Sequence, residues 1–294
     1  SDDDQNSGHF AALDTDKPVT PNNNINAVGY CIGGTLLSIG AAELAREDDD
    51  ILNTITLLAA QVDFTEHGEI KRFLGDSQLA FLESMMWTDG YLQAASLGNA
   101  FKALRAEDMV INPAIERYYL GKGTKPNELM AWNADGTRIP ASMHSRYLKE
   151  LFMENQLSSC KFIVDGKPVA LQDIRTPFFV IGTTTDHVAP WKSVYKIQHL
   201  CRSEVTFLLT TGGHNAGIVC GPEHPRRKFQ VMTHDPMDKY VDPDTWASTV
   251  ETQQGSWWPL WDYWLTEQSI DEVPKRNIKG TKSLRDAPGE YVFS

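Results

Sequence analysis

Three residues of this 294-residue chain have the types and the surroundings for nucleophilic catalysis: Cys31, Asp186 and His214. Cys31 stands in "GYCIGGT", between Gly29 and Gly33, where an apolar run passes into a small-residue run of helical period. A nucleophile in a sharp strand-to-helix turn needs glycine neighbours, because a Cβ at either position would strike the adjoining strand or helix. The same placement aims the first-turn N–H groups and the positive end of the helix dipole at the sulfur, which favours the thiolate. A thiol of this kind needs a base, and the base needs a group to orient it. "PFFVIG" runs into "TTTDHVAPW", offering Asp186, and "EVTFLLT" runs into "TGGHNAG", offering His214. The chain order is nucleophile, acid, histidine, with the last two on loops that follow apolar strands. His187, beside Asp186, would point elsewhere and reads as structural. The bland alternatives are a buried cysteine in a tight turn and a loop histidine satisfied by solvent. The other histidines and the four cysteines lack the spacing of a metal site, so no metal is assigned.

These side chains require an α/β scaffold. "INAVGY" reads as a buried strand, "TLLSIGAAELARE" as the helix after it, and "ITLLAAQVDF" (55–64) as a second buried strand. Continuous apolar strands in β-α-β order predict a mainly parallel sheet covered on both faces. With the elbow, this pattern predicts an α/β-hydrolase fold. From about 65 to 156 the rhythm gives way to irregular helices rich in Met, Trp and Tyr, expected to form an inserted cap. The α/β rhythm returns with 176–182, a helix in "PWKSVYKIQHL" and a strand over 204–210, after which "TWASTVETQQGSWWPLWDYWLTEQ" reads as helical. Residues 1–24 are polar, so the catalytic domain is expected over 25–294. Only 30 residues precede Cys31, so the first strands of the fold are expected to be missing, together with the second oxyanion donor they usually supply.

A net charge of -12 argues against binding nucleic acid or an anionic membrane through a broad basic face. No apolar stretch approaches the ~20 residues of a membrane span, and the first residues lack the features of a signal peptide. Four cysteines without a framework pattern suit a reducing compartment, with the cytoplasm as the default.

The chain resembles the polyhydroxyalkanoate synthases, which polymerise (R)-3-hydroxyacyl-CoA into storage polyester. The resemblance runs from about Ile25 to Ser294 and rests on "GYCIGGT", "AWNADGTRIPASMHSRYL", "DHVAPW", "GGHNAG", "GSWWPLW" and "APGEYV" in the family's order. It implies an acyltransferase in which Cys31, Asp186 and His214 match the family's nucleophile, aspartate and histidine. The backbone N–H of Ile32 would stabilise the oxyanion. The pattern looks most like the form acting on short chains such as 3-hydroxybutyryl-CoA. The thioester of coenzyme A is then the substrate and no cofactor is needed. Implied partners are the growing polyester, the polyester granule surface and a second copy in a homodimer. Ala216 is a candidate for the acyl pocket. Arg226 and Arg227 are candidates for the CoA phosphates, beside the reading of "PRRK" as a solvated charged turn. Two other readings stay open: a cysteine hydrolase of the dienelactone hydrolase kind, and an inactive granule-associated partner, since the chain reads as a fragment or an incomplete synthase.

Overall fold

The computed structural model describes residues 25–269 apart from 105, 124–127, 135 and 137, together with Leu13 and Asp286. The polar segment 1–24 and the tail beyond 269 otherwise lie outside the described residues. Leu13 itself is buried in the main core.

The central sheet has six strands in sequential order: β1 (Ile25–Tyr30), β2 (Leu52–Leu58), β3 (Phe178–Thr183), β4 (Val205–Thr210), β5 (Lys228–His234) and β6 (Gln253–Gln254). β1 to β4 are parallel, whereas β5 and β6 are antiparallel to their neighbours. The register aligns Leu58 with Tyr30 on one side and with Ile181 on the other, and Ile181 with Leu208. The carboxyl ends of β1, β3 and β4 therefore come level on one edge of the sheet. In such a sheet the loops leaving that edge are the place for a site.

Every residue of β3 and β4 is buried, which requires apolar or β-branched side chains on both faces; "FFVIGT" and "VTFLLT" supply them. The expected covering of both faces fails at β1, whose burial alternates and whose Val28 is 48% exposed. Among the described residues β1 pairs with β2 alone. β2 ends at Leu58, short of the expected 64, because Ala59 adopts φ 47 and turns the chain away, and Gln61, two residues on, offers a carbonyl to Thr35 Oγ1 at 2.8 Å.

The stretch 245–268, expected as helical throughout, is instead two helices with a strand between them. Pro243–Thr249 starts under an Asp242 cap that accepts from the N–H groups of Asp244 and Thr245. Gln253 and Gln254 then pair with Phe229 and Lys228, and Gly255 (φ 109) turns the chain into the tryptophan-rich helix Trp258–Glu267. β5 was not expected either, since its apolar residues are interleaved with Lys228, Gln230, Thr233 and His234 and give no clean run.

Between β2 and β3 lie the helices Asp76–Met86, Ala94–Leu104, Asn112–Tyr118, Glu128–Ala134 and Ala141–Arg146, the last continued by a wider π turn over Tyr147–Met153. A two-residue ribbon joins Tyr91–Leu92 to Ile139–Pro140. The two ends of this segment are stitched together by polar contacts. Asn155 donates to Asp63 Oδ2 at 3.0 Å and accepts from the Phe64 N–H at 2.9 Å, while Lys196 reaches Asp63 at 3.0 Å and Glu66 at 2.5 Å. Burial disfavours the Asp63 charge, but these donors and those of Thr65 outweigh it and hold the carboxyl at a pKa of about 2. No helix among the described residues is long and apolar enough to cross a membrane.

Candidate active site

Cys31 is the pivot between β1 and the helix Ile32–Arg46, with φ 52 and ψ -123, a backbone conformation that side chains rarely adopt. Its N–H donates to Leu58 O at 2.9 Å, and its carbonyl accepts from Gly34 at 3.0 Å and Thr35 at 3.2 Å. The strain is thus held by the neighbouring strand and by the first turn of the helix. The steric need for glycine falls partly elsewhere than expected. A Cβ on Gly29 would lie 2.4 Å from Gly34 Cα, and one on Gly34 would lie 2.4 Å from Ala60 Cβ, whereas Gly33 faces open space. The close approach is between strand and helix, one residue beyond the second glycine of the motif. The N–H of Ile32 belongs to the first helical turn and has no acceptor within the helix.

Asp186 follows β3 and its side chain is fully buried. Oδ1 accepts from the N–H groups of Val188 at 2.8 Å and Ala189 at 2.9 Å; Oδ2 accepts from His214 Nδ1 at 2.8 Å and Thr183 Oγ1 at 3.3 Å. Four donors on one buried carboxyl leave it no freedom to turn. With Nδ1 committed to Asp186, His214 lies within electrostatic reach of Cys31. Burial opposes the imidazolium, yet the hydrogen bond and charge of Asp186 and the neighbouring Cys31 raise its pKa to about 10. The site therefore favours the charged form of His214.

The structure brings Asp186 and His214 into a hydrogen-bonded pair on the sheet edge, with Cys31 beside it. It places the other candidates around the histidine loop. Arg227 turns inward, donating to the carbonyls of Thr211 at 2.9 Å and Ala216 at 2.5 Å, so that its guanidinium braces the loop. Ala216 contributes that carbonyl and is partly exposed, while Arg226 is exposed. His187 offers its backbone carbonyl to the N–H of Glu69 at 2.9 Å, docking the turn Gly68–Phe73 on the acid loop.

Sequence reasoning missed three contributors. The tryptophan-rich segment clamps the loop after His214: Trp257 Nε1 donates to Gly217 O at 3.1 Å and Trp258 Nε1 to Ile218 O at 3.0 Å. Trp261 Nε1 reaches Thr56 Oγ1 in β2 at 3.0 Å. Tyr147, from the segment between β2 and β3, lies near Thr35 and Cys31; burial, then the sulfur's charge, push its phenol above the usual range. Tyr30 packs on His214 itself. Its adjacency to the nucleophile was the available signal, but nothing in the spacing said which way its ring turns. Of the remaining cysteines, Cys160 is exposed and Cys201 and Cys220 are buried. Among the described residues no group of three or more His, Cys, Asp or Glu side chains could hold a metal ion.

A family model described as alpha/beta hydrolase fold matches residues 20–219. The chain is 38% identical over 96% of its length to the poly(3-hydroxyalkanoate) polymerase subunit PhaC of Rhizobium meliloti (strain 1021), covering 46% of that protein. It is 36% identical over 97% of its length to the poly(3-hydroxyalkanoate) polymerase of Methylorubrum extorquens, covering 47% of it. It is 29% identical over 96% of its length to the PhaC subunit of Cupriavidus necator, covering 49% of it. The chain thus spans about half the length of the curated relatives it matches.

Proposed function

The chain belongs to the alpha/beta hydrolase fold family, and from that premise we propose that it carries the catalytic machinery of a poly(3-hydroxyalkanoate) polymerase. The substrate in this reading is a short (R)-3-hydroxyacyl-CoA such as 3-hydroxybutyryl-CoA. The observation that carries it is the apposition of Cys31 to a His214–Asp186 pair in a chain similar along nearly all its length to such polymerases.

The chemistry follows from the charges. The Cys31 thiolate, paired with the His214 imidazolium, attacks the thioester carbon, forming a new C–S bond and an oxyanion that the Ile32 N–H can meet. Collapse breaks the bond to the CoA sulfur, and His214 gives its proton to the departing thiolate. One thioester replaces another, so the acyl group stays activated; a serine ester would lose that activation. Acylation also removes the sulfur's charge, one of the two that held the proton on His214. The now neutral imidazole becomes a base for the hydroxyl of a second hydroxyacyl unit, which attacks the acyl-Cys31. An ester forms, the proton goes to His214 and the thiolate is restored. The complete burial and four donors of Asp186 favour its acting through His214 rather than on the hydroxyl directly.

Water competes with that hydroxyl, so the helices between β2 and β3 are assigned the role of a cap that shields the acyl-enzyme. Their exposed Trp87, Tyr118 and Tyr119 supply apolar surface for the growing polyester, the granule or a second copy in a dimer. The setting would be the cytoplasm, at the granule surface.

The test is incubation with 3-hydroxybutyryl-CoA, following CoA thiol release and the mass of the Cys31 peptide. Acylation at Cys31, lost in Cys31→Ala, is expected; CoA release undiminished in that variant would overturn the reading. Release of free 3-hydroxybutyrate without oligomer would favour the hydrolase reading. Granule binding without CoA release would favour an inactive partner.

A further inference from the structure

The mechanism leaves unused one aromatic side chain that touches the reacting histidine. Tyr30, the last residue of β1, lies with its ring centroid 5.3 Å from that of His214, the planes 27° apart. Its hydroxyl donates to Asn215 Oδ1 at 2.5 Å, with the His214 carbonyl sharing the proton at 3.1 Å. Its ring also stacks on Trp132 of the helix Glu128–Ala134, at 6.2 Å and 27°. One side chain thus grips the histidine loop by its backbone carbonyl, by the next side chain and by the imidazole ring, and meets the segment above through Trp132.

We propose that Tyr30 is a positioning residue for His214, holding the imidazole in line between Cys31 and Asp186. The inference rests on the catalytic reading of Cys31 and His214 given above. Two physical effects combine. The hydroxyl bonds tie the histidine loop to the strand that carries the nucleophile, so the two halves of the site, far apart in the chain, cannot drift separately. The ring lies close against a histidine whose charged form the site favours, and an aromatic quadrupole favours a cation held over it. Burial, and the charges of Cys31 and Asp186, keep the phenol itself protonated well beyond the physiological range, so it remains a donor throughout. The titratable groups facing His214 are Cys31 and Tyr30 from the elbow and Asp186 from the acid loop; Tyr147, from the overlying segment, faces Cys31.

The experiment is alkylation of the 294-residue chain by iodoacetamide between pH 5 and 10, resolved by peptide mass in the wild type, Tyr30→Phe, Tyr30→Leu and His214→Gln. Exposed Cys160 reports the intrinsic reagent rate, and buried Cys201 and Cys220 stay unlabelled as long as the chain is folded. At pH 7, Tyr30→Phe is expected to slow Cys31 labelling roughly fivefold by loss of the hydroxyl bonds. Tyr30→Leu, which also removes the stacking, should slow it by roughly tenfold or more. In both, the pH dependence of Cys31 labelling should change while that of Cys160 does not. Unchanged rate and pH dependence in folded Tyr30→Phe and Tyr30→Leu, with His214→Gln still slowing Cys31, would overturn the positioning role alone. Should His214→Gln leave Cys31 untouched as well, the catalytic reading falls with it. If the leucine variant unfolds, exposing Cys201 and Cys220, the phenylalanine variant decides.

Discussion

The sheet and the segment between β2 and β3 treat apolar side chains in opposite ways. β3 and β4 bury all their residues, and the tryptophan cluster beside them buries Trp257 completely while its indole N–H finds a carbonyl. The helix Asp76–Met86 buries only Leu79 and Met86, the helix Asn112–Tyr118 buries none of its residues, and Trp87 is 89% exposed. Asp186 and His214 hang from the first region, where burial on both faces fixes the strand ends and so the loops leaving them. Among the described residues, the second region leaves large apolar side chains such as Trp87, Tyr118 and Tyr119 exposed. Under the proposed function, rigid geometry for chemistry and open apolar area for binding fall to different parts of one chain.

Breaking the buried side should have the largest effects. Cys31→Ala is expected to abolish CoA release, a loss of roughly 10³-fold or more, measured with 3-hydroxybutyryl-CoA. Asp186→Asn keeps the shape but reverses a donor and acceptor in the pair with His214, and should lower the rate by roughly 10²- to 10⁴-fold in the same assay. Replacing Trp257 by Leu removes a buried indole and its bond to Gly217 O, at a cost of about 3 kcal/mol in denaturant unfolding. The corresponding change on the other side, Trp87→Ser, should shift stability by no more than ~0.5 kcal/mol. Its effect should appear instead in association with an apolar surface, read by sedimentation with polyester particles.

Two titrations sharpen the comparison further. Asp63, at the root of the inserted segment, has its pKa lowered from 3.8 to about 2, so its stabilisation is present above pH 4 and fades as pH falls toward 2. His214, raised from 6.5 to about 10, contributes fully below pH 6.5 and loses that contribution as pH rises toward 10. Thermal melts across pH should therefore lose their acid limb in Asp63→Asn and their alkaline limb in His214→Gln. Limbs that persist in both variants would refute these assignments.

Much of the site was legible because a reactive turn imposes local rules. The Gly29 and Cys31 pattern, and an acid and a histidine each directly after an apolar strand, are written in adjacent residues, and the fold pairs Asp186 with His214. Cys31 takes the positive φ that an elbow demands, yet the second close contact belongs to Gly34. No spacing rule separates Gly33 from Gly34, since only the crossing of strand and helix decides which one touches. β5 escaped notice because its polar interleaving suits a strand near the edge, and Gln253–Gln254 because two residues have no periodicity to read. In the sequence Arg227 stands both as a candidate for the CoA phosphates and as part of a solvated charged turn; the bend of the histidine loop presents it with two carbonyls, a contact no local pattern signals.

By itself the amino-acid sequence determined which residues are candidates for the chemistry, their order along the chain, and the parallel α/β scaffold, because strand burial and the elbow are local and periodic properties. Only the tertiary structure decided that Tyr30 lies on His214, that the tryptophans hold the loop behind it, and that four donors converge on Asp186. Those contacts join residues far apart in the chain. Their partners are chosen by how strands align and loops bend in three dimensions, information that no short stretch of residues contains.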